Sequence, residues 1–152
     1  VNMKREAERV WGYLEGNGLR SAVLSGDVPQ TTRLKLLKRF QEGELPILVA
    51  TDVAARGLHI PDVTHVVNYD LPEDAEDYVH RIGRTGRAQK EGDAFTILTA
   101  DELENARSVE HFIGQKIERR KLESFAYHYT ALLEDNPQPL RKKRPPAPKR
   151  RR

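Results

Sequence analysis

The sequence predicts an α/β domain built on a parallel sheet with helices on both faces, and three observations predict it. Short apolar runs of strand type alternate with amphipathic helical segments from Lys4 to Phe112. The run Pro46 to Ala50 is apolar throughout, as strands buried on both faces are, and it gives way abruptly to Thr51 and Asp52. Gly16, Gly18, Pro29 and Gly43 punctuate the segments where helices should start or stop.

Each element has its own local reason. Lys4 to Glu15 reads as a helix with Val10 and Leu14 on its buried face, stopped by Gly16 or Gly18, and Ser21 to Leu24 as the strand after it. Pro29 to Gln41 is a second helix, opened by Asp27 and Pro29 and closed by Gly43; Leu34, Leu37 and Phe40 recur at helical spacing and are expected in the core. Strand Ile47 to Ala50 leads into a short helical turn. Strand His65 to Tyr69, helix Asp74 to Ile82, strand Ala94 to Thr99 and helix Ala100 to Phe112 complete the unit.

Composition narrows the possible functions. The 152 residues suit one domain with an appendage, large enough to bury a core. The formal charge of +3 hides an asymmetry: residues 141–152 carry 8 basic side chains and no acidic one, leaving 18 basic against 23 acidic, a net −5, for residues 1–140. The folded body must therefore contact nucleic acid through a local patch, whereas the tail can bind any polyanion by counterion release. With no cysteine, this chain forms no disulfide and no thiolate zinc site. The five histidines show no pair at ligand spacing on one helix, so no metal site is expected. No apolar run approaches a membrane span and no leader-like segment opens the chain, so a cytoplasmic location without membrane contact is expected. Residues 116–140 contain alternating Phe125, Tyr127 and Tyr129 and then Asp135-Asn-Pro-Gln-Pro139, and the Pro- and Arg-rich residues 141–152 are expected to be disordered.

Two segments carry the chemistry. His80-Arg-Ile-Gly-Arg-Thr-Gly-Arg87 sets Arg81, Arg84 and Arg87 three residues apart at a helix end, with Gly83 and Gly86 keeping the backbone open. Guanidinium groups at this spacing suit a polyphosphate, though the same residues could form a solvated basic turn. Val49-Ala-Thr-Asp-Val-Ala-Ala-Arg-Gly-Leu-His-Ile-Pro61 puts Thr51, Asp52 and Gly57 beyond the carboxyl end of a strand, where ligands bind in open α/β sheets. As ordinary punctuation, Asp52 would cap a short helix and Gly57 would end it.

Together with Ser25-Gly-Asp-Val-Pro-Gln-Thr-Thr-Arg33, these segments resemble three motifs, in order, of the second RecA-like domain of the DEAD-box RNA helicases. The likeness covers residues 1 to about 115, and Ala-Arg-Gly-Leu-His-Ile-Pro together with Pro139-Leu-Arg and the basic tail looks most like the bacterial RhlB branch. It implies a RecA-like, P-loop-type parallel sheet over residues 1–115, a C-terminal extension over 116–140 and a basic tail over 141–152. It also implies that Val1-Asn2-Met3-Lys4 ends a strand whose first part is missing, an N-terminal truncation. Neither the Gly-rich Lys/Thr phosphate loop nor the Asp-Glu-Ala-Asp segment of the family occurs in the sequence. By resemblance, then, the chain is the C-terminal half of an ATP-dependent RNA helicase, inactive alone. ATP with Mg²⁺ would be held mostly by an N-terminal RecA-like domain.

The residue roles follow from the same likeness. Arg84 and Arg87 would act as arginine fingers on the γ-phosphate, and Gly57 and His59 would contact the nucleotide. His59 stands where the family has an aspartate on the ribose; a neutral imidazole accepts only one hydrogen bond and a protonated one none, which puts that contact in doubt. Gln30, Arg33 and Thr51 would hold the RNA backbone, and Asp52, His80 and Arg81 would lie at the interdomain contact. Read alone, Gln30 and Arg33 fit a solvated first helical turn, and His80 a hydrogen-bonded helix residue. RNA and an RNA-degrading endoribonuclease complex are the implied partners. The alternative is a non-catalytic RNA-binding or scaffold-docking module.

Overall fold

In the computed structural model, which describes residues 1–56, 63–86 and 92–126, the elements run α1 (Lys4–Gly16), β1 (Ser21–Leu24), α2 (Gln30–Gln41), β2 (Ile47–Ala50), α3 (Asp52–Ala55), β3 (His65–Asn68), α4 (Ala75–Ile82), β4 (Asp93–Thr96) and α5 (Leu103–Ile113). A 3₁₀ turn, Ala100–Glu102, leads into α5. Contacts divide the chain into Val1–Ile117 and Glu118–Arg152. Of the expected extension and tail, residues 127–152, which include Tyr127, Tyr129 and residues 141–152, lie outside the described residues; Phe125 is described and exposed.

Local chemistry explains the helix boundaries. Ala7 is fully buried, and Val10 and Leu14 are half-buried one and two turns further along α1. The helix ends where Gly18 takes a φ of +77°. There the Leu19 N–H reaches back to the Leu14 carbonyl at 2.9 Å and the Gly18 N–H to that of Glu15 at 2.9 Å, a Schellman closure that a side chain at Gly18 would strain. Helix α5 is introduced by a capping box, in which Thr99 Oγ1 donates to Glu102 Oε2 at 2.7 Å and the Thr99 N–H meets the same oxygen at 3.0 Å.

One core expectation is corrected. Leu34 is 58% exposed, whereas Leu37 is buried and Leu36 packs beside it. The inner stripe of α2 runs through Arg33, Leu36, Leu37 and Phe40, an i, i+3, i+4, i+7 set, and at about 100° per residue Leu34 falls off its edge.

The described strands form two parallel pairs, in line with the expected parallel pairing. β1 pairs in parallel with β2, Leu24 opposite Ala50, and β3 in parallel with β4, Val67 opposite Phe95. Among the described residues no ladder joins the two pairs. Each pair has its own core: Leu24, Leu37 and Ala54 under α2 and α3, with Leu48 and Ala50 on the same strand face, and Leu71, Tyr78, Ala106 and Val109 between α4 and α5. Helix α1 packs against β1 and β2. Between the pairs lies a cavity of about 960 Å³, lined by Ile47 to Ala50 on one side and by Thr64, His65, Val67 and Asn68 on the other. Val1, expected as the remnant of a truncated strand, sits at the end of this cavity with its amine 2.9 Å from the Ala50 carbonyl oxygen.

Candidate functional site

At the carboxyl ends of β2 and β3 the described contacts between the two strand pairs are polar. Arg81, in the last turn of α4, has a side chain only 9% exposed. Its Nε and Nη2 donate to the two carboxylate oxygens of Asp52 at 2.7 Å each, a bidentate pair across the gap. Nη1 donates to the Asp70 carbonyl at 2.8 Å and to Asp70 Oδ1 at 3.3 Å, and Nη2 also reaches Asn2 Oδ1. Asp70 in turn accepts the Asn2 backbone N–H at 2.9 and 3.0 Å, and Asn2 Nδ2 donates to the Leu71 carbonyl at 2.9 Å. Burial alone would disfavour the Arg81 charge, but the Asp52 and Asp70 carboxylates outweigh it and raise its pKa.

A second bridge lies on the outer rim. Arg56 Nη2 donates to Asp77 Oδ1 and Oδ2 at 2.7 and 2.9 Å, and His80 Nδ1 stands 3.8 Å from Asp77 Oδ1. The Arg56 hydrogen bond holds the Asp77 carboxyl below the usual aspartate range. A folded pKa below the unfolded one means that the pair stabilises the fold above the unfolded value and loses that contribution as pH falls through the folded value. Asp77→Asn should therefore be slightly less stable than wild type at neutral pH, with the difference shrinking as pH falls below about 4 and vanishing only below the lowered folded value. Thermal melts across pH read this; an undiminished difference in acid would show that the carboxylate charge is not its source. The effect is small because Arg56 is 63% exposed and solvent screens it.

The structure gathers some of the sequence-predicted residues and separates others. Asp52, His80, Arg81 and Arg84 line the cavity together with Arg56 and Asp77. Arg84 lies just past α4, half-buried, its N–H on the Arg81 carbonyl at 3.1 Å. Arg81, expected at an interdomain contact, makes five hydrogen bonds to Asp52, Asp70 and Asn2. Thr51, Arg33 and Gln30 are not among the cavity residues. Thr51 is 6% exposed, with its N–H on the Leu24 carbonyl at 3.2 Å. Arg33 reaches the Ser25 carbonyl at 3.4 Å, and its buried Nε has no partner among the described residues. Gln30, the first residue of α2, is exposed. Gly57, His59 and Arg87 lie outside the described residues.

Sequence reasoning missed Asp70, Asn2, Arg56 and Asp77. Asp70 was within reach, because the rule that singled out Thr51 and Asp52, a polar residue just beyond a strand's carboxyl end, applies equally after β3. Arg56 and Asp77 are 21 residues apart and no periodicity relates them.

Residues 1–89 match the helicase conserved C-terminal domain. The ATP-dependent RNA helicase RhlB of Histophilus somni (strain 129Pt) is 54% identical over 143 residues, 94% of this chain and 33% of that protein. RhlB of Escherichia coli O1:K1 / APEC is 51% identical over 145 residues, 95% of this chain and 33% of that protein. The chain thus spans about a third of the length of these relatives. Among solved structures, the E. coli DEAD-box protein SrmB bound to regulator of ribonuclease activity A superposes with a TM-score of 0.78 at 37% identity, covering 81% of this chain and 72% of that one. A DEAD box protein from the hyperthermophile Methanococcus jannaschii gives 0.75 at 37%, covering 80% and 33%.

Proposed function

This chain belongs to the DEAD-box RNA helicases as their conserved C-terminal, RecA-like domain, and from that premise we propose that it forms one wall of a composite site that hydrolyses ATP and grips RNA when a partner RecA-like domain closes on it. The observation that carries the reading is the meeting of the β2 carboxyl end, at Asp52, with the α4 terminus, at His80, Arg81 and Arg84, on one cavity. Arg84 and Arg87 act as arginine fingers: negative charge builds on the γ-phosphate oxygens as the bond to the β-phosphate oxygen breaks, and a permanently charged planar guanidinium stabilises it without reorganisation. Gly57 would contact the nucleotide, His59, in place of the family's ribose-binding aspartate, would offer it at most one acceptor, and Asp52, His80 and Arg81 would meet the other domain. Gln30, Arg33 and Thr51 hold RNA phosphates without reading bases.

Among the described residues no cluster of three carboxylates or imidazoles could hold a metal ion. By the family likeness, Mg²⁺ and most phosphate ligands would belong to the N-terminal domain, and no step on this chain runs through the metal. The process served is RNA unwinding during RNA decay in the cytoplasm.

The 152-residue chain alone should show no RNA-stimulated ATPase activity, and joining the N-terminal RecA-like domain in cis should restore it. Turnover by the isolated chain, abolished by Arg84→Ala, would overturn this division of labour. A second reading, a docking module for an RNA-degrading endoribonuclease complex, draws on the SrmB neighbour, a DEAD-box protein with a ribonuclease regulator bound. It predicts that the activity of the joined enzyme would be indifferent to Arg84.

A further inference from the structure

We propose that the outer face of α2, formed by Thr31, Leu34, Lys35 and Lys38, is a second binding surface for single-stranded RNA, which carries the strand along the helix beyond the contacts at Gln30 and Arg33. The inference rests on the reading above, in which Gln30 and Arg33 meet RNA phosphates. The four residues are exposed, and they lie on the side of α2 away from its inner stripe of Arg33, Leu36, Leu37 and Phe40. Leu34, 58% exposed, stands between the two lysines and the helix's first turn.

Charge sets this helix apart from the body that carries it. Residues 1–140 have a net charge of −5, yet Gln30–Gln41 holds Arg33, Lys35, Lys38 and Arg39 and no acidic residue. Of the described helices, α2 alone lacks one. Helix α1 has as many surface cations but sets acids beside them, Lys4 with Glu8 at 3.7 Å and Arg9 with Glu6 at 3.6 Å. On α2 the neighbours of Lys35 one turn away are Thr31, Thr32, Lys38 and Arg39, none of them acidic. Like charges at these spacings destabilise a helix, and the first turn has no carboxylate to complement the dipole. Lys38 has Glu42 at 3.7 Å, but both are exposed and solvent screens the pair. A cost to the fold kept on an exposed face points to a ligand that offsets it, and the ligand that suits lysines is a row of phosphates.

Continuity favours RNA over an acidic protein segment. Gln30 to Lys38 spans eight residues, about 12 Å along the axis, so a strand leaving Gln30 meets Thr31, then Lys35, then Lys38 without crossing the domain. Lysines on flexible stems act as point charges that accept phosphates in many positions, which suits contact without base readout, and Leu34 offers apolar surface to a sugar or base.

The test uses the full-length protein with both RecA-like domains and a non-hydrolysable ATP analogue, with oligouridines of about 6 and about 20 nucleotides, the shorter sized to one compact site. Lys35→Ala/Lys38→Ala should weaken binding of the longer RNA by about tenfold and make its salt slope shallower by about 1.4, two contacts at 0.7 each, while the shorter RNA binds as before. The melting temperature should stay level or rise, because repulsion on the helix is relieved. Arg5→Ala/Arg107→Ala, which removes two exposed cations from α1 and α5, should leave the longer RNA unaffected. Unchanged affinity and slope for the longer RNA overturn the proposal, as does equal weakening of both lengths, or equal weakening by the Arg5/Arg107 pair, which would reduce the effect to net charge. Poly-glutamate binding that needs Lys35 and Lys38 when RNA binding does not would assign the surface to an acidic protein and overturn it too. Gln30→Ala should weaken both lengths; if it weakens neither, the reading of Gln30 as an RNA contact fails and not the α2 surface alone.

Discussion

Arg84→Ala in the two-domain protein is expected to lower kcat for RNA-stimulated ATP hydrolysis by about 10³ to 10⁵, the range typical of an arginine finger, while RNA binding stays nearly intact. The size follows from what the group does. Its charge is wanted most in the transition state, in a closed site where water no longer screens it, so its loss appears in kcat far more than in substrate affinity. Arg84 follows the end of α4, half-buried at the cavity edge. Arg84→Lys should recover only a small part of the rate, because an ammonium cannot make the planar bidentate contact. Circular dichroism and RNA binding serve as controls. An equal loss of RNA affinity and kcat would indicate a folding defect and remove the evidence for a finger.

Much of this site can be read from the sequence because its residues stand at element ends that local chemistry marks. The break from Ala50 to Thr51 announces a strand's carboxyl end, and Asp52 then had to lie where a polar partner could meet it. The identity of that partner was not legible. His80, Arg81 and Arg84 occupy one short segment and look alike as cations, yet Arg81 is engaged in five internal bonds while Arg84 lies at the cavity edge. Only the third dimension, which brings Asp70 and Asn2 to Arg81 from 11 and 79 residues away, separates the two. Leu34 shows a related limit: a three-residue recurrence is compatible with two neighbouring helix stripes, and the choice falls to whichever the sheet covers. Strand order is a third. Alternation of strands and helices predicts parallel pairing, as β1 with β2 and β3 with β4, but it carries no information on whether the pairs themselves meet.

Deleting residues 141–152 should remove most of the RNA affinity of the isolated chain without changing its melting temperature. The body has a formal charge of −5 and the tail 8 positive charges in 12 residues, so long-range attraction to RNA comes from the tail. The groups proposed to hold RNA on the body offer little when the domain is alone: Thr51 is 6% exposed, and the Arg33 guanidinium leans on the Ser25 carbonyl at 3.4 Å. A tail engaging about six phosphates should follow a salt slope near −0.7 per contact and lose about a hundredfold or more in affinity between 50 and 200 mM salt. Fluorescence anisotropy with a labelled oligouridine, repeated with an unrelated sequence, measures the slope and the expected lack of sequence preference. The chain ending at Leu140 should bind weakly at every salt concentration and show a shallow slope. If it bound as tightly as the full chain at physiological salt, the tail would not be the dominant contact, and Gln30, Arg33 and Thr51 would have to form a stronger site than their burial and partners allow.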